Sequence, residues 1–137
     1  MALAVAGAVA LAAGCGGDDG GGKAGARQAV QRYFAALGDK DATGACQTFT
    51  ESSQEKLAEF GHDHLKTGAS CREVVDLLLQ APAGTGLAKL RGARITAVEL
   101  KGAEQAEVRV QGLDRPIDLR LQGGRWRIAS QPAGETD

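Results

Sequence analysis

The sequence predicts an α+β domain in which helices come first and a four-stranded antiparallel sheet follows, with the helices covering one face of that sheet. From residue 26 to Leu78 apolar side chains recur at three- and four-residue intervals, and beyond about residue 93 the interval falls to two. Pro82, Gly84 and Gly86 stop the last helix, and Gly123-Gly124 supplies a hairpin turn between the last two strands.

The first helix is written in ARQAVQRYFAAL, where Ala26, Ala29, Val30, Tyr33, Phe34 and Leu37 share one face and Gly38 is placed to end it. Asp41 caps a second helix whose buried face is Ala42, Ala45, Cys46 and Phe49. Ser52-x-x-Glu55 reads as a capping box for a short turn carrying Leu57 and Phe60. Ser70-x-x-Glu73 reads as another, opening a helix with Cys71, Val74, Val75 and Leu78 inward.

In the second half Ala106, Val108 and Val110 alternate with Glu107, Arg109 and Gln111; Ile117, Leu119 and Leu121 alternate with Asp118, Arg120 and Gln122; Trp126 and Ile128 alternate with Arg125 and Arg127. Pro116 suits the start of an edge-compatible strand. In RITAVEL, residues 94–100, the parity slips: Ile95 and Ala97 point one way, Val98 and Leu100 the other, which a β-bulge reconciles.

A chain of 137 residues suits one domain, and a net charge of −1 gives no field to draw in nucleic acid. Aromatic content of 4% is thin for base stacking. Phosphate-binding loops, nucleophile elbows and paired zinc-type cysteines do not occur, so no cofactor is expected. His62-Asp63-His64 has ligand-type residues, but no third histidine exists, and exposed loop histidines without a metal are the expectation.

The start is different in kind. Residues 1–17 carry no charge, and positions 2–13 are only Ala, Leu, Val and Gly. That run is shorter than the roughly 20 residues needed to span a bilayer, and it fits the apolar core of a secretory signal. Ala12-Ala13-Gly14-Cys15, with Leu11 upstream, resembles the lipobox of bacterial lipoproteins. It departs from that pattern in having Ala12 where a large aliphatic residue is usual and nothing basic before the apolar run. The resemblance implies a signal peptide over 1–14, a lipid on Cys15, and a protein anchored to the outer face of the bacterial cytoplasmic membrane. Residues 15–25, with glycine at six of the ten positions after Cys15, then read as a flexible tether, 26–131 as the folded domain and 132–137 as a disordered tail.

Export bears on the other two cysteines. Cys46 and Cys71 lie on apolar helix faces, and in an oxidising compartment a bridge between them is favoured over two separate buried thiols.

VQRYFAAL, the polar step Gly38-Asp39-Lys40-Asp41, the CQTFT helix and a closing strand GGRWRI resemble the nuclear transport factor 2-like superfamily, which includes SnoaL-like and ketosteroid-isomerase-like proteins. The resemblance implies a cone in which helices pack on a curved sheet, sometimes around a pocket. Tyr33, Phe34, Leu37, Glu99, Val110, Leu119 and Trp126 are the candidate pocket lining. Superfamily members include enzymes, binding modules and scaffolds, so a function does not follow from the fold. Inward strand positions from Ala106 to Ile128 carry no ionisable group, which favours a non-catalytic domain that binds a small apolar ligand or an envelope protein. The alternatives are a small isomerase-like enzyme using Glu99 and Tyr33, and a structural protein with no pocket.

Overall fold

The structure, a computed structural model, describes residues 22–65, 70–80, 90 and 92–129. Cys15, the signal segment, most of the tether, Pro82 with Gly84 and Gly86, and the tail over 132–137 lie outside the described residues. Among the described residues four α-helices precede a four-stranded antiparallel sheet, so the chain is an α+β protein with its helices N-terminal to the sheet. No described helix is long and apolar enough to cross a membrane.

Helix α1, Gly22–Gly38, buries Gly25, Ala26, Ala29, Val30, Tyr33, Ala36 and Leu37. It begins four residues before the expected boundary, so Gly22 to Gly25 belong to the helix and not to the tether. Glycine opposes a helix by about 1 kcal/mol relative to alanine, and here packing outweighs propensity: Gly25 lies one turn below Ala29 on the buried face. Helix α1 ends at Gly38, as expected. Reversal comes at Lys40, whose φ is +56°. Its N–H reaches Leu37 O at 3.2 Å and that of Asp41 reaches Ala36 O at 2.8 Å, the two bonds of a Schellman motif.

Asp41 then caps α2, Ala42–Gln47, as expected, accepting from Gly44 N at 2.9 Å. Helix α3, Glu51–Phe60, is capped by Thr50 and not by Ser52. The Thr50 hydroxyl accepts from Ser53 N at 3.1 Å and donates to Ser53 Oγ at 2.9 Å, and the latter goes on to Ala129 O at 2.8 Å. This buried network joins the cap to the end of the sheet, a long-range bond invisible to local pattern. A π-helical turn, Gly61–Leu65, follows in place of a loop, with His64 stacked on Phe60 at 4.8 Å. Ser70 caps α4, Cys71–Leu79, accepting from Glu73 N at 3.2 Å.

Strands β1 (Ile95–Leu100), β2 (Gln105–Val110), β3 (Ile117–Gln122) and β4 (Arg125–Ile128) lie in the order β1-β2-β3-β4. Gly123 and Gly124, at φ +59° and +79°, form the β3–β4 hairpin, where a two-residue turn needs left-handed backbone at both positions. The bulge occurs between Ile95 and Ala97: Ile95 pairs with Val110, whereas Ala97 already pairs with Arg109. Beyond it Val98 opposes Val108 and packs against the core, while Leu100 opposes Ala106 at the strand end and is exposed.

One core unites the layers. Helix α1 packs against β1, β2 and β4, and α2 packs against α1 and α4. The outer edge of β4 is partly covered by the α2–α3 linker, where Phe49 forms a parallel bridge with Ile128. Phe49 therefore lies beyond α2, which ends at Gln47, and its ring packs on Tyr33 at 5.2 Å.

Candidate functional site

The expected pocket-lining residues divide into three groups. Tyr33, Leu37, Val110, Leu119 and Trp126 come together, each at most 4% exposed, in one packed core. Phe34 is partly buried against that core, with its ring 5.9 Å from Tyr33. Glu99 is not among them. The bulge shifts β1 by one residue, which turns Ala97 and Glu99 to the outer face. There Glu99 is exposed and pairs with Lys101 at 3.3 Å.

Tyr33 has no titrating role at ordinary pH, because burial pushes its phenol far above the usual value. Its hydroxyl and the Trp126 indole N–H are both buried without a hydrogen-bond partner among the described residues. The acid–base pair expected of an isomerase-like site is thus absent from the described interior: one member is outside and the other is locked neutral. Cys46 and Cys71 are joined as a disulfide between α2 and α4, both 7% exposed. Among the described residues no group of three His, Cys, Asp or Glu is placed to hold a metal ion.

A surface concavity lies elsewhere. A groove of about 550 Å³ runs between α1, α2 and the edge strand β4. Helix α1 contributes Arg32, Ala35 and Ala36, whose i, i+3, i+4 spacing sets them along one face, and Asp39 follows just past its end. The α1–α2 junction adds Asp41, α2 adds Gly44 and Gln47, and Thr48 follows them. Strand β4 supplies Arg125, Trp126 and Arg127. Small side chains make the space: Ala35 and Ala36 end at Cβ, and a Cβ on Gly44 would run into the Asp41 carboxylate that caps α2. Arg127 Nη1 donates to Gln47 O at 3.0 Å and fixes β4 to the end of α2. Three guanidinium groups and two carboxylates line the groove, so it suits a polar, charged ligand better than an apolar one.

Trp126, which the resemblance places at an interior pocket, is both a core residue and a groove wall. Arg32 and Asp39 carry no sequence signal for a site beyond charge, and Asp41 reads only as a helix cap, because the groove exists only where three separate elements meet.

The outer sheet face is expected from sequence to interleave its charges, but pairing sorts them into rows. Glu99, Glu107 and Asp118 stand opposite one another across β1, β2 and β3. In the next row Gln105, Arg120 and Arg127 are paired. Lys101 bridges Glu99 and Glu107 at 3.3 and 3.6 Å, and the Glu99 hydrogen bond and both carboxylate charges hold its ammonium above its ordinary value. Partial burial first, and the Glu107 charge second, raise the carboxyl of Asp118 above the usual range, against the lowering effect of Arg120.

No protein-family model matches this chain, and neither does any curated protein or solved structure.

Proposed function

We propose that this chain is a lipid-anchored protein of the bacterial cell envelope, held by Cys15 on the outer face of the cytoplasmic membrane. Its one small non-catalytic domain recognises a polar ligand or partner in the groove along β4. The nuclear transport factor 2-like resemblance belongs to the same proposal: helices N-terminal to a four-stranded antiparallel sheet agree with it without identifying it. The observation that carries the recognition reading is the groove itself, a charged concavity on the outside of a domain whose expected pocket residues are packed into its core. An isomerase-like enzyme loses support because Glu99 faces solvent and pairs with Lys101.

A glycine-rich tether and a lipid anchor suit recognition at a surface. Two or more acyl chains, each buried methylene contributing about 0.8 kcal/mol, hold a protein stably while leaving its domain free to search. Mass spectrometry of the mature protein from membranes tests the anchor. The expected N-terminus is Cys15 carrying a diacylglyceryl group; a chain that retains residues 1–14, or an unmodified Cys15, contradicts it.

A further inference from the structure

In the antiparallel pairing of β3 with β4, Arg125 and Arg127 turn their peptide groups toward β3. Those of Trp126 and Ile128 therefore face the opposite edge. Ile128 is satisfied there, donating to Thr48 O at 2.7 Å and accepting from Thr50 N at 2.9 Å. This linker runs parallel to β4 but reaches only that far. Traced backward, the chain curls into α2 at Gln47 instead of continuing beside Trp126, and the groove opens at that point.

We propose that an extended, acidic segment of a partner protein docks in this groove. It adds main-chain hydrogen bonds to the β4 edge at Trp126 and sets its carboxylates among Arg32, Arg125 and Arg127. The proposal rests on the groove being the recognition site. Three features favour this occupant. The edge already accepts a parallel segment, since the Thr48–Thr50 linker pairs with it one step further along, and strand addition of this kind needs only main-chain groups. Three arginines against two aspartates give the groove lining a net positive charge. Arginine forks are also suited to paired recognition of carboxylates. Finally, Ala35 and Ala36 leave backbone-sized room beside the strand.

Trp126 is the single tryptophan of the chain and reports on its own groove. The test is a fluorescence titration of the disulfide-intact protein with an acetylated, amidated hexapeptide alternating valine and glutamate. Three controls run alongside: the lysine counterpart, an acidic version with proline replacing the valines, and free glutamate with inorganic phosphate. The acidic peptide should shift Trp126 emission saturably, with binding weakened as salt rises. Ala35→Leu, which fills the groove from an exposed helix position, and Arg125→Glu should each weaken it by about tenfold or more. Far-UV circular dichroism verifies that both variants fold.

The proline version should bind far more weakly, since it loses half of its main-chain donors and its proline rings disfavour the extended strand. Equal binding of the proline peptide, or of free glutamate or phosphate, overturns strand addition. Equal or tighter binding of the lysine peptide overturns the acidic assignment while leaving the groove as a recognition site. Self-association that Ala35→Leu abolishes would make a second copy the occupant and overturn the proposal, as would acidic-peptide binding that neither variant weakens. That last result would also remove the groove from the proposed function.

Discussion

Lys40, with φ at +56°, donates its backbone N–H to the carbonyl of Leu37 at 3.2 Å and turns the chain out of α1. This left-handed position is one that glycine fills without penalty and that a side chain with a Cβ occupies at a cost of roughly 1 kcal/mol. The turn matters because it sets Asp39 and Asp41 at the groove and starts α2 immediately.

Lys40→Gly should therefore stabilise the protein by about 0.5–1 kcal/mol, the relief of strain exceeding the added freedom of the unfolded chain. Thermal unfolding checks it: a rise of a few degrees is expected, and a fall would mean that the lysine side chain makes a contact worth more than the strain.

The Cys46–Cys71 bridge spans 25 positions and holds α4 to α2. On the chain-entropy account, closing such a loop contributes about 3.5 kcal/mol. Denaturant unfolding of the Cys46→Ser, Cys71→Ser double variant should show a loss of about 2–4 kcal/mol, and reduction of the native protein a similar loss.

Asp118, which stands in one row with Glu99 and Glu107, should appear in the pH dependence of stability. The folded state raises the Asp118 pKa above its ordinary value of 3.8, so within that window the native chain binds more proton than the unfolded one. Its contribution consequently falls as pH rises through the window, and ionised Asp118 opposes folding above it. Asp118→Asn should stabilise at neutral pH by no more than about 0.5 kcal/mol, given the exposure of the site, and by nothing below pH of about 3. A larger gain at acid pH than at neutral pH would reverse the sign assigned here.

Much of the fold is legible in sequence because its signals are local. Asp41 and Ser70 cap helices as their positions predict, the strand parities from Ala106 to Ile128 match burial, and the slip in RITAVEL is a real bulge. Resolving that slip needed the partner strand: only the pairing of Ala97 with Arg109 reveals that Glu99 belongs outside. Thr50 takes the cap expected of Ser52 because its network reaches Ala129, far away in sequence. The groove was not legible at all. It depends on the missing bulk of Ala35, Ala36 and Gly44 meeting β4, and each of these residues alone looks like an ordinary helix position.

The proposed recognition lies on the β4 edge and not inside the domain. Nuclear magnetic resonance mapping with a panel of short peptides, amino acids, sugars and apolar small molecules tests it most directly. Binding should move the amides of Ala35 and Gly44 together with the Trp126 indole signal, while the methyl groups of Val108, Ile117 and Leu119 stay in place. A ligand that shifts those core methyls and leaves Ala35 and Gly44 unmoved would place the site in the interior and contradict the claim.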